Sequence, residues 1–218
     1  MVEPSDQDGA TNFPRTLRYV EQLPNGLESF GDCLGKVSVW RTVHGVHGGS
    51  LTGLPFELQH EFDHPSSASS WIPQAHVLAF ILAMVESSPE VLGQVAQGES
   101  LSTVEGPWIR KAARALFATP MYRILMWAAS PRLLFKGANL RWSAFFRGSA
   151  LRSEVYPSNE AKLLLEAPVG LFNEDLASVF TEVLRAAVSF TEESDGHGQA
   201  TVDFVDFQPG AVEYRGRW

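Results

Sequence analysis

Cysteine is almost missing from this chain: Cys33 is the only one in 218 residues. A lone thiol rules out an internal disulfide and fits a reducing compartment. Long apolar runs are missing too. The longest, Val77 to Val85, falls well short of the roughly 20 residues that a bilayer-spanning helix needs. The opening residues, MVEPSDQDGATNFP, have neither a basic n-region nor an apolar h-region and do not read as a secretory leader. A cytoplasmic place is the expectation. Positive charge is in deficit: 17 Lys and Arg stand against 25 Asp and Glu, for a formal net charge of -8. That balance argues against a nucleic-acid partner. No G-x-S-x-G elbow, P-loop or G-x-G-x-x-G occurs, so serine hydrolysis and nucleotide binding have no anchor.

What is present describes a globular chain. Hydrophobic residues make up 44% and charged residues 19%, enough to bury a core. Residues 1–14, rich in Asp, Ser, Pro and Gly, read as a flexible tail. Residues 15–218 read as a single α+β domain, mainly helical over 15–148 and of ββαββ order over 149–218. The helical part packs on an antiparallel sheet.

The densest apolar and arginine-rich run extends from Pro107 to Gly148. Pro107 suits a first helical turn, and Trp108, Ile109, Ala112, Ala113, Leu116 and Phe117 recur at helical spacing. Thr119-Pro120 and Ser130-Pro131 each read as a stop and restart, with the hydroxyl residue as N-cap. Gly137 argues against one straight helix beyond them. Upstream, Cys33 to His44 is read as helix, Gly45 to Gly53 as loop and Leu54 to His64 as a short helix. Ile72-Pro73 starts a longer helix, which Ser88-Pro89 restarts and carries to Gly98. After Gly148 the period becomes two, along Leu151 to Tyr156 and Ala161 to Ala167. Asn173 then caps a helix with the single stripe Leu176, Val179, Phe180, Val183, Leu184, Ala187 and Val188. Two further strands follow, with a slip of phase between Phe204 and Phe207.

One motif resembles a catalytic signature. His60-Glu61-Phe62-Asp63-His64 matches H-E-x-x-H, in which two histidines one turn apart bind zinc and the glutamate activates water. His44, His47 and His76 lie close in sequence. Pro65 ends the helix directly after the second histidine, and Asp63 stands where such enzymes keep an uncharged residue. A chance match on a short surface helix is therefore preferred, with a zinc hydrolase using His60 and His64 as the alternative. Cys33 reads as buried, or, with Lys36 three residues on, as a thiol of lowered pKa. Arg132, Lys136, Arg141, Arg147 and Arg152 form a basic cluster, read as a solvated face or as a contact for an acidic partner.

Four blocks resemble a myxobacterial paralogous family, a domain of unknown function. They are Cys33 to Val39, Ser69 to His76, Thr119 to Leu125 with Ser130-Pro131, and Leu140 to Gly148. The order of elements also looks like vinyl-reductase-type small-molecule-binding domains and related trafficking-complex subunits. That resemblance implies an apolar-ligand site or an assembly module. Haem-based nitric-oxide sensors carry Y-x-S-x-R, whereas the nearest run here is Tyr156-Pro157-Ser158-Asn159-Glu160, so haem is not expected and no cofactor is assigned. The leading reading is a non-enzymatic module that binds an apolar small molecule, with Tyr122, Trp127, Trp142 and Phe146 as lining. A ligand-free homodimer closed by the same aromatic residues is a further alternative.

Overall fold

The computed structural model describes residues 13–49, 51–88, 107–127, 130–195 and 200–218. The expected tail up to residue 12, the restart from Pro89 to Gly98, and His197 lie outside the described residues. Helix α1 (Pro14–Gln22) opens on a proline, where the missing N–H costs nothing. Its end is satisfied from a distance. The buried Glu86 carboxylate accepts from the Arg15 and Thr16 N–H groups at 2.6 and 3.1 Å and from Thr16 Oγ1 at 3.0 Å. An anion there pairs free donors and complements the helix dipole.

A short extended stretch, β1 (Pro24–Leu27), and strand β2 (Leu34–Lys36) lead to helix α2 (Val37–His47). Then come α3 (Phe56–Asp63), β3 (Trp71–Pro73) and α4 (Gln74–Glu86). Every residue of α4 is buried. A helix that is apolar nearly all round belongs inside a protein, and α1 and α2 both pack on this one.

The helical layer continues with α5 (Pro107–Ala118), α6 (Pro120–Met126), α7 (Pro131–Lys136) and α8 (Ala138–Ser143). Ser130 caps α7, its hydroxyl accepting from Leu133 N–H. Thr119 stands at the N-cap position of α6, but its hydroxyl turns back and donates to Leu116 O at 2.8 Å. Strands β4 (Phe146–Arg147), β5 (Ala150–Tyr156) and β6 (Glu160–Glu166) precede helix α9 (Glu174–Asp195), and β7 (Thr201–Gln208) and β8 (Ala211–Arg217) close the chain. Asn173 Oδ1 accepts from Leu176 N–H at 2.9 Å and so caps α9. Its first turn holds Glu174 and Asp175, suited to the positive end of the dipole.

The last four strands form an antiparallel sheet of order β5-β6-β8-β7. With α9 as the connection, this is the expected ββαββ order, and the fold class is α+β. Alternation sorts the faces: Leu151, Leu163, Leu165, Val212 and Tyr214 are buried. On the other face, Arg152 pairs with Glu166 and Lys162 with Glu213. The slip of phase is a register shift between Phe204 and Asp206. Helices α5 and α9 are joined by Glu182, a buried carboxylate flanked by Arg110 at 3.0 Å and Arg185 at 2.6 Å.

A second sheet corrects the sequence reading of the N-terminal half. Strands β3, β2 and β4 pair antiparallel in that order. Leu34 to Lys36 is therefore strand, not the first turn of a helix, and α2 starts at Val37 and continues into the expected loop as far as His47. Ile72-Pro73 likewise lies in β3, not in the helix that follows. Three of the four blocks that carried the family resemblance meet here, each contributing one strand.

Gly148 follows β4 with φ +77, and a Cβ on it would stand 2.5 Å from Asp32 O and 2.7 Å from Cys33 Cα. Only glycine allows that crossing. Cys33 is buried against it, with Sγ 3.3 Å from Gly148 O. Burial and the neighbouring Asp32 raise the pKa of this thiol, the opposite of activation by Lys36.

Candidate functional site

An apolar cavity of about 110 Å³, partly open to solvent, lies between the helical layer and the four-stranded sheet. Each wall follows from a helical or strand stripe. Helix α5 contributes Ile109, Ala112, Ala113, Leu116 and Phe117. The sheet gives Leu151 and Leu163 from the buried face of β5 and β6, and α9 gives Val179, Phe180 and Val183. From α2 and α4 come Val39, Val43, Ile81 and Val85. The aromatic wall is one connected array: Trp142 lies 4.7 Å from Phe146 and 5.4 Å from Phe180 between ring centroids. Such contacts hold the wall in place.

Two lining residues carry polar groups without a partner. Trp108 Nε1 and Arg141 Nε are both buried and make no hydrogen bond among the described residues. Arg141 is the only charged residue in the lining among the described residues. Its Nη1 donates to Leu134 O at 3.2 Å and Leu133 O at 3.4 Å, at the end of α7. Burial lowers its pKa from the usual arginine value, though an arginine so placed keeps its proton. Gly137 makes the room: a side chain there would collide with Arg141 Nη1.

The four aromatic residues proposed as lining separate in the structure. Trp142 and Phe146 line the cavity. Tyr122 is buried beside it, its ring 4.3 Å from Phe145 and its hydroxyl 2.7 Å from Ser38 Oγ, but it is not part of the wall. Trp127, at the C-cap of α6, is 78% exposed, so it cannot line an interior site. Arg141 was read only as one of a basic cluster. The signal that marks it is its spacing: Ala138, Arg141, Trp142 and Phe145 share one helical face, so the cation sits within an apolar stripe.

The H-E-x-x-H residues lie on α3, whose only buried residue is Leu58. The His60 and His64 rings face each other edge on, with centroids 5.4 Å apart. The Glu61 carboxylate is taken by Ser66, through its N–H at 3.0 Å and its hydroxyl at 3.3 Å. No group of three or more His, Cys, Asp or Glu suited to a metal ion occurs among the described residues. Upstream, the His47 ring packs on Trp108 at 5.4 Å and the His44 ring on Phe62 at 5.0 Å. His76 is buried in the first turn of α4, with Nε2 3.4 Å from the Glu28 carboxylate. Among the described residues no helix is long and apolar enough to cross a membrane.

No family model matches the chain, and no curated protein does. Several solved structures are similar to it in arrangement. One comes from work on modulating heme redox potential through protein-induced porphyrin distortion, at 9% identity, covering 83% of this chain and 96% of that one with a TM-score of 0.48. A Cs H-NOX mutant with the unnatural amino acid 4-cyano-L-phenylalanine matches at 10% identity, covering 84% and 95%, with a TM-score of 0.46. A mutant of T. Tengcongensis H-NOX matches at 10% identity, covering 82% and 94%, with a TM-score of 0.46. With H-NOX structures among these neighbours, the sequence-based exclusion of haem is corrected. It rested on Tyr156 to Glu160, which run from the end of β5 through an exposed turn to the start of β6 and do not line the cavity. Their departure from Y-x-S-x-R therefore decides nothing about the interior.

Proposed function

We propose that this protein is a non-enzymatic module that holds a small apolar molecule in the cavity between its helical layer and its sheet. The observation that carries this reading is the cavity itself. Close-packed interiors seldom leave a void of this kind, and an apolar void of about 150 Å³ is enough to admit benzene. Here the walls come from seven helices and three strands, so a bound molecule touches most of the fold at once. A ligand that favours the ordered wall stabilises the whole by mass action. His60 and His64 on an exposed helix, with Glu61 turned to Ser66, offer no comparable support for hydrolysis.

Two measurements test the reading. Organic extraction of the purified protein followed by mass spectrometry is expected to release a stoichiometric apolar compound. For protein stripped of it, titration with 1-hexanol is expected to raise the melting temperature and change tryptophan fluorescence, because Trp142 forms part of the wall. Absence of both a released compound and a response to hexanol would overturn the proposal.

A further inference from the structure

We infer that the cavity selects a ligand with an apolar tail and a carboxylate head, and that Arg141 is the residue that recognises the head. The inference rests on the ligand-site reading above and specifies its chemistry. An apolar void alone would accept any hydrocarbon of suitable size. Among the described residues this one carries a single charged residue, Arg141, in an otherwise almost wholly apolar lining.

The polar groups that lack partners point the same way. Trp108 Nε1–H and Arg141 Nε–H can only donate, and both are buried without an acceptor. A buried donor left unpaired is destabilising, and native structures rarely keep one without a reason. What the site lacks is acceptors, and a carboxylate supplies two oxygens. A structural role explains part of the Arg141 geometry: Nη1 closes the carbonyls of Leu133 and Leu134 at the end of α7. That role leaves over the edge formed by Nε and Nη2, which has no hydrogen-bond acceptor among the described residues. This edge is the fork that fits a carboxylate with two parallel hydrogen bonds. No carboxylate of the described residues pairs with Arg141, although five other arginines, Arg15, Arg110, Arg152, Arg185 and Arg217, have one; Arg141 differs from the remaining arginines in lining the cavity.

Placement agrees with the role. Arg141 is half-buried and the cavity is partly open, so the guanidinium stands where interior meets solvent. A carboxylate bound there keeps one side hydrated while its tail runs along Trp142 and Phe145. Gly137 holds the guanidinium in position by having no side chain to displace it.

The test compares hexanoate with 1-hexanol at neutral pH, by calorimetric titration of the full chain stripped of any co-purified compound. Hexanoate is expected to bind on the order of tenfold tighter than hexanol. In R141Q the two are expected to bind alike. G137A, which keeps the arginine but drives its guanidinium aside, is expected to lose the same preference, and it decides the matter should R141Q fail to fold by circular dichroism. If hexanol binds and hexanoate binds no better, or if the preference survives in both variants, the role of Arg141 is overturned while the apolar site stands. If neither compound binds, the site reading and the inference fall together.

Discussion

Gly148 has no space for a β-carbon. Its positive φ and the 2.5 Å approach of Asp32 O place it where the chain must cross the Cys33 backbone. Gly148→Ala is expected to destabilise by about 2–3 kcal/mol, from a strained conformation together with overpacking. Urea denaturation measures it, and a loss below ~0.5 kcal/mol would show that the crossing tolerates a side chain. His76 sets a pH dependence of its own. Burial lowers its pKa in the folded state, with Glu28, Glu61 and Glu57 opposing in part. The unfolded chain therefore binds the proton more readily, so stability is complete above the usual value near 6.5 and falls as the pH drops below it. His47 shifts in the same direction, through burial and the nearby His44. Denaturation midpoints measured from pH 8 to pH 5 are expected to decline towards acid, and less steeply in His76→Leu. An unchanged slope in that variant would count against His76. At this scale the sequence was informative where chemistry is local: Asn173 caps α9 as its spacing implied, because the bond spans only three residues. It placed Arg141 only within a basic cluster, because its position in the lining depends on walls brought from far along the chain.

Among the elements, α1 depends on a residue that lies outside it. Glu86, at the far end of α4, meets three donors at the start of α1. Glu86→Ala leaves those donors buried without a partner, and a loss of about 2–3 kcal/mol is expected, with proteolysis near Arg15 and Arg18 appearing first. A variant as stable as the parent would mean that burying the carboxylate costs as much as its bonds return. Helices with a full stripe, such as α5 and α9, were legible from their period. The strands β2, β3 and β4 were not, for a physical reason. Two or three residues cannot display an alternation, and their partners lie far away in sequence, as Gly35 pairs with both Ile72 and Phe146. Composition also favoured helix there, since Leu34 and Val37 fit a helical period as well. Trp127 misled in the opposite direction: aromatic density suggested a wall, but the helix ends at Met126 and leaves that ring outside.

For the molecule as a whole, the cavity offers the broadest test. Ala113 lines it and is 3% exposed. Ala113→Leu adds three carbons pointing into the void and is expected to leave stability unchanged or raise it by about 1 kcal/mol, while abolishing the response to hexanol. A loss above ~2 kcal/mol would show that the space is already filled. The ββαββ half was readable because its strands are consecutive, with short turns and a clear alternation. How the helical half closes over it was not, because that depends on contacts between α2, α4 and α5 that no local pattern encodes.

The complete burial of α4 has a kinetic corollary. With protein on every side, the amides from Val77 to Val85 have no small local opening through which to meet solvent. Their deuterium uptake should therefore wait for the entire fold to come apart, all at one common rate under native conditions. Mass-spectrometric exchange across this peptide would then report global unfolding, and a ligand held against Ile81 and Val85 should slow it by the same factor that it raises overall stability.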